Sequence, residues 1–297
     1  MSGIDKYYTI KEKIMKAVYI LFSGGYDSSY LVNKVLQEIK NNHQEEEVSL
    51  NLISAKCSFS GNKSEREHYA RNRLVEYWRS KYYANVINYS ELKIDTEDFR
   101  IKNNGLLQPL FWLPSLLTNI DTTSTFSDIY ILFSYIEGDQ ALFYSSEIEN
   151  IVRSILKFNT DDYSYGHHEP NVHIMFPLKY TRKPDIIARL IEDDEFVFDN
   201  STSCEGYEDN SWNKYNVCCE CVPCKHLKES LLIIENYGTI TDKVRQKCRE
   251  MLEVLNLGKK ELKHYDIAKE SKHSDIAVDI VDIKECNCKK EEYEVED

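Results

Sequence analysis

Ser23-Gly24-Gly25-Tyr26-Asp27-Ser28-Ser29 is the stretch on which the reading of this chain turns. It follows Ala17 to Phe22, an unbroken apolar run that reads as a buried strand. After it, Leu31, Val35 and Ile39 recur one turn apart on a single helical face. A glycine pair at such a junction lets the backbone approach a ligand closely, because no Cβ shields the N–H groups. The start of the helix adds unpaired N–H donors and the positive end of a dipole, a combination suited to phosphate. Ser23, Ser28 and Ser29 offer hydroxyl donors, and Asp27 offers a carboxylate for a magnesium ion or for positioning a donor. The plain alternative is a Gly-Gly turn in which Asp27 or Ser28 caps the helix. No Gly-Lys-Ser/Thr closes the stretch, so it is not a Walker A loop.

Composition narrows the field. The chain has 297 residues, 42% of them apolar, with 21 tyrosines, enough for a substantial core. A net charge of −13 argues against an extended nucleic-acid surface, since phosphate neutralisation needs clustered Lys and Arg. Lys6, Lys11, Lys13 and Lys16 interrupt the N-terminal stretch, which lacks a signal-peptide apolar core, and no apolar run reaches membrane-spanning length. The expectation is a soluble, cytoplasmic protein that engages no membrane.

Outward from the loop, strand and helix patterns alternate. Val48 to Ala55 reads as a second strand and Val86 to Tyr89 as a third. Between them Ser64 and Glu67 form a capping box ahead of a helix carrying Ala70, Leu74, Tyr77 and Trp78. Residues 106–119, interrupted by Pro109 and Pro114, read as a loop entering a buried, kinked helix. Ile129 to Phe133 is a further buried strand, and Ser146 with Glu149 caps an amphipathic helix through Leu156. Residues 159–173 read as a polar loop, with His167 and His168 as candidate ligands or ordinary solvated side chains. Ile174 to Leu178 precedes a helix with Pro184 in its first turn, and two closing helices are expected at 225–237 and 241–256. Alternation of this kind predicts an α/β fold: a Rossmann-like (HUP-type) parallel sheet with helices on both faces, followed by a C-terminal zinc-binding module. Ligands of such sheets bind beyond the carboxyl ends of the strands, where the glycine loop falls. The expected organisation is an α/β domain over 1–200, a cysteine module with closing helices over 201–260, and a charged, disordered tail over 261–297.

The chain has nine cysteines, and five of them crowd into Cys204 to Cys224. In a reducing compartment that clustering favours metal over disulfides. Cys204, Cys218, Cys221 and Cys224 can close a tetrahedral all-thiolate site, the pattern of structural Zn2+. Sulfur-only donors also suit an iron–sulfur cluster. Cys219 is left over, His226 is a substitute ligand, and Cys57 and Cys248 read as semi-buried thiols.

The Ser-Gly-Gly-x-Asp-Ser stretch resembles the pyrophosphate-binding loop (PP-loop) of the ATP pyrophosphatases. Together with Ser203-Cys204 and Cys218-x-x-Cys221-x-x-Cys224, it resembles the 7-cyano-7-deazaguanine synthase (QueC) family over about residues 16–237. Pro177-Leu178 with Lys183, Thr202-Ser203-Cys204 and the acid Asp139 look like further family elements. The resemblance implies ATP and Mg2+ at Ser23 to Ser29, and catalytic roles for Ser23, Asp27 and Lys183. It also implies zinc at the four cysteines and adenylation of a 7-deazaguanine-type carboxylate. Ammonia then attacks, and a second ATP carries the amide on to a nitrile. Three segments depart from the family pattern: Cys57 to Gly61, Asn104 to Gln108, and Tyr144 to Ile148. Those segments shape the base pocket, so the ATP chemistry transfers better than the substrate.

Three alternatives stand beside this one. QueC-like proteins of antiphage defence systems join the activated deazapurine to a protein amine. PP-loop chemistry on tRNA, such as thiolation, needs a sulfur-carrying cysteine and a basic face, and the acidic charge counts against it. A zinc-stabilised nucleotide-binding module would bind without turnover. The sequence leaves a homodimer open.

Overall fold

The apolar run ahead of the glycine pair becomes β1 (Met15–Leu21), the middle strand of a five-stranded sheet. The computed structural model describes residues 15–45, 47–57, 62–82, 86–94, 113, 119–120, 126–160, 170–204, 221–237 and 240–255. The described residues belong to one compact unit of the chain. In order they form α1 (Tyr26–Asn41), β2 (Val48–Cys57), α2 (Asn62–Lys81), β3 (Ile87–Ile94) and β4 (Phe126–Leu132). A single turn of 3-10 helix (Gln140–Tyr144) runs directly into α3 (Ser145–Thr160). Then come β5 (Asn171–Met175), α4 (Lys183–Asp193), α5 (Glu195–Asn200), α6 (Val222–Tyr237) and α7 (Asp242–Val254).

The strand order is β3-β2-β1-β4-β5, and every pairing is parallel. The expected α/β, Rossmann-like architecture is therefore the observed one. Alternate residues of β1 serve opposite faces of the sheet. Ala17, Tyr19 and Leu21 join Ile129 and Ile131 of β4 in a cluster closed by Ile148, Val152 and Leu156 of α3. Phe22, of the other parity, packs on Trp78 of α2 with ring centroids 5.4 Å apart. Helices thus cover both faces, as a parallel sheet requires. α6 and α7 pack on one another and on α4, which in turn contacts α1.

Several boundaries differ from the sequence reading. α2 begins at Asn62, so Ser64 falls inside its first turn rather than ahead of it. α3 continues out of the 3-10 turn, and Ser146 Oγ donates to its neighbour Glu147 rather than making a capping box with Glu149. β5 starts at Asn171, inside the stretch read as loop, and ends at Met175. Asn171 and His173 alternate with Val172 and Ile174, the period of a strand half-covered on one face. α5 is a short helix capped by Asp194, whose side chain accepts from the Val197 N–H. The kinked helix expected over 106–119 and the charged tail lie outside the described residues, apart from Leu113 and Asn119. No described helix is long and apolar enough to cross a membrane.

Candidate functional site

The strand order reverses between β1 and β4, and in open parallel sheets a ligand crevice opens at that switch point, beyond the carboxyl ends of the strands. Two segments leave the sheet there: Phe22 to Gly25 after β1, and Phe133 to Asp139 after β4.

Phe22 keeps the first segment in register by donating its N–H to Ile53 O at 2.8 Å, while Ser54 Oγ donates to the Phe22 carbonyl. Gly24 then turns the chain at φ +82°, a conformation that L side chains rarely adopt. The space is closed as well: a Cβ on Gly24 would lie 3.0 Å from Arg71 Cγ. Gly25 is the N-cap of α1, no side chain caps the helix, and Asp27 lies in the first turn. The capping alternative for Asp27 or Ser28 is thereby set aside. Ser23 Oγ accepts from the Gly25 N–H at 3.1 Å and lies 3.0 Å from Ser28 Oγ, which also contacts Gly25 O at 3.2 Å. Ser29 Oγ is buried without a hydrogen-bond partner among the described residues. An uncapped helix start beside a glycine turn can receive an anion through its N–H groups and dipole.

Lys183, the first residue of α4, reaches back across the switch point, with Nζ 2.6 and 2.7 Å from the two oxygens of Asp27. The same ammonium lies 5.6 Å from the centroid of the Tyr26 ring. Pro184 occupies the first turn of α4, where its missing N–H costs nothing. Asp139 completes the group. Burial raises its carboxyl above the ordinary carboxylate range, aided by the charge of Asp27, while the Ile136 N–H and Lys183 work the other way. One of its oxygens accepts from the Ile136 N–H at 2.8 Å. Just before it, Phe133, Tyr135 and Phe176 stack on one another, and the Tyr135 hydroxyl is buried with no partner among the described residues. The structure therefore brings Ser23 to Ser29, Lys183 and Asp139 together at one crevice.

Two residues absent from the sequence reading stand behind the loop. Arg71 of α2, fully buried, donates to Ser23 O at 3.2 Å and pairs with Glu91 of β3 at 2.7 Å. Burial works to raise the Glu91 carboxyl, but hydrogen bonds from His68 and Arg71 outweigh it and hold the group below its usual range. Tyr89 and Glu91, two apart and so on one face of the strand, were the signal available in the sequence.

The metal candidates adjoin the same loop. Cys204, Cys221 and Cys224 have their sulfurs within 4.8 Å of one another, with Cys204 and Cys224 buried. Three converging thiols with an all-sulfur donor set fit a thiophilic metal. Cys218, Cys219, His167 and His168 lie outside the described residues. His226 is exposed and does not join the cysteine group. Cys57 ends β2, and Cys248 is buried in α7, its thiol pushed up to about 12 mainly by burial, which leaves it inert. Of the divergent segments, Tyr144 to Ile148 joins the 3-10 turn to α3, with Tyr144 exposed and Ile148 buried. Residues 58–61 and 104–108 lie outside the described residues.

No protein-family model matches the chain, and no curated protein matches it. Among solved structures it is similar to the U34-tRNA thiolase NcsA from Methanococcus maripaludis with its [4Fe-4S] cluster. The sequences are 14% identical, the match covers 86% of this chain and 78% of that one, and the TM-score is 0.39.

Proposed function

We propose that this protein is an ATP-dependent ligase that activates the carboxylate of a 7-deazaguanine-type acid, 7-carboxy-7-deazaguanine, and forms a C–N bond. The observation that carries the reading is the uncapped glycine loop at the switch point, faced by Lys183 and Asp139. In the first step a carboxylate oxygen attacks the α-phosphorus of ATP, the bond to the bridging oxygen breaks, and pyrophosphate leaves. An amine then attacks the acyl carbon, loses a proton and expels AMP. With ammonia, a second ATP adenylates the amide oxygen, and loss of AMP and a proton leaves a nitrile.

The loop residues Ser23, Gly24, Gly25, Tyr26, Asp27, Ser28 and Ser29 hold the phosphates in this reading. Ser29 Oγ, without a partner among the described residues, is the hydroxyl left for a phosphate oxygen. Asp27 and Asp139 are the carboxylates suited to Mg2+, which would shield the departing pyrophosphate. With Mg2+ held at Asp27, the Lys183 ammonium would be free to face the charge on the departing pyrophosphate. Cys204, Cys218, Cys221 and Cys224 would hold zinc in a closed structural site, leaving no catalytic role for it.

The test is ATP–pyrophosphate exchange, with and without the acid. Exchange that depends on 7-carboxy-7-deazaguanine is expected. Absence of exchange with that acid, alongside tight nucleotide binding, would favour the non-catalytic module. Intact-mass analysis with ammonium or a candidate partner separates the two acceptors. Complete conversion to free nitrile with ammonium alone, with no mass added to any partner, excludes the protein-amine version.

A further inference from the structure

We propose that Arg71 is the positioning residue of the glycine loop, aiming the Gly24 N–H into the crevice, and that Glu91 holds it in that pose. The inference rests on the phosphate-binding reading of the loop. A fully buried guanidinium is costly unless each of its sides is matched by an acceptor. Here Nη2 and Nε contact one oxygen of Glu91 at 2.7 and 3.2 Å, and Nε also lies 3.3 Å from the Tyr89 hydroxyl. Nη1 is left for a single backbone acceptor, Ser23 O, with Glu67 farther off at 3.6 Å.

The choice of that carbonyl has a geometric consequence. In a planar trans peptide the C=O and the following N–H point in opposite directions. With the Ser23 carbonyl drawn inward to α2, the Gly24 N–H is directed outward, away from the helix. The stem of the same side chain fills the place beneath the turn, since Arg71 Cγ lies 3.0 Å from where a Gly24 Cβ would sit. One side chain therefore blocks a Cβ at Gly24 and fixes the peptide plane before it. Glu91 in turn accepts from His68 Nδ1 at 3.0 Å, while Asn72 Nδ2 lies 3.0 Å from the other ring nitrogen. That arrangement selects the tautomer with the proton on Nδ1 and anchors the carboxylate from its solvent side.

Lysine keeps the charge but lacks the planar fork, so it cannot serve carboxylate and carbonyl together. In Arg71→Lys, the Gly24 and Gly25 amide resonances of glycine-labelled apo protein are expected to shift. Inorganic pyrophosphate affinity should fall roughly tenfold to a hundredfold, the scale of a charge-assisted hydrogen bond. Unchanged resonances at both glycines in a folded Arg71→Lys protein would overturn the proposal. If that variant does not fold, Glu91→Gln replaces it: shifted loop amides support the assignment and unshifted ones refute it. Titration of the wild type is a separate arm. If it binds no pyrophosphate, the phosphate reading of the loop falls, while the amide resonances still decide what Arg71 does.

Discussion

The backbone N–H of Thr202 donates to the carbonyl of Gly24 at 2.9 Å, so the segment that ends in Cys204 is tied to the glycine loop. Ser203 Oγ lies 3.2 Å from where a Cβ on Gly25 would be, close enough to wall the turn. On the other side, Arg66 of α2 approaches Cys204 Sγ at 3.5 Å. The same helix thus supports the loop through Arg71 and the cysteine cluster through Arg66.

Metal at the cysteines should therefore stabilise the loop as well as the fold. Structural metal contributes on the order of 10 kcal/mol to folding, comparable with the whole stability of a domain. Elemental analysis should find one zinc per chain, and Cys221→Ser should give insoluble protein. A soluble Cys221→Ser variant with full zinc content would sink the assignment. In the wild type, chelation should speed hydrogen exchange at Gly24 and Thr202 before exchange rises in β1 and β4.

The two loop glycines should differ in what substitution does. Gly24→Ala places a Cβ at φ +82° and against Arg71, a strain of about 1–2 kcal/mol before any clash. Gly25, at φ −77°, has an ordinary backbone, and its Cβ would meet only hydroxyls and a carbonyl, at 3.2 to 3.6 Å. Gly24→Ala is expected to lower the melting temperature by several degrees and to lose pyrophosphate exchange. Gly25→Ala should leave the melting temperature nearly unchanged while weakening exchange. Equal thermal losses would show that the turn geometry is not the controlling feature.

The strands read most clearly from sequence were the inner ones, covered on both faces. Ala17 to Leu21 of β1 and Ile129 to Leu132 of β4 are unbroken apolar runs because helices lie over each side of them. β5 escaped because Asn171 is exposed and His173, stacked on Tyr130 and bonded to Asp128 of β4, looks like a loop residue when the pattern is read without its partner strand. The loop itself was legible since its serines, glycines and aspartate are adjacent in sequence. Arg71 was not. It sits in a helix rich in charge, and only its contacts in the fold with Ser23 and Glu91, 48 and 20 residues away along the chain, reveal its use. Burial of one arginine among several on a helix is a tertiary fact that no spacing rule marks.

Asp139 gives a pH dependence of stability. Its carboxyl is raised from the ordinary value of 3.8 chiefly by burial, with Asp27 adding to it. A raised acid favours the folded state most when protonated, and that advantage is lost as pH climbs through the folded value. Asp139→Asn keeps an oxygen for the Ile136 N–H and removes the charge. Its melting temperature should exceed the wild type's at pH 7, with the difference shrinking toward zero as pH falls below about 3.8. A difference that grew on acidification would contradict the assignment.

The ion pair between Lys183 and Asp27 should matter little to stability and much to chemistry. Both side chains keep contact with solvent, at 20% and 26% relative exposure, and pairs of that kind contribute about 0–1 kcal/mol. Lys183→Ala and Asp27→Ala should each shift the melting temperature by no more than about 3 °C. Removing a preorganised charge aimed at a leaving pyrophosphate typically costs about a hundredfold to a thousandfold in rate. ATP–pyrophosphate exchange is therefore expected to collapse in both variants, and in Ser23→Ala, while circular dichroism and melting stay near wild type. Near wild-type exchange in Lys183→Ala would show that the ammonium serves only to hold α4 against α1. The same result in Asp27→Ala would remove that carboxylate from the metal-binding role.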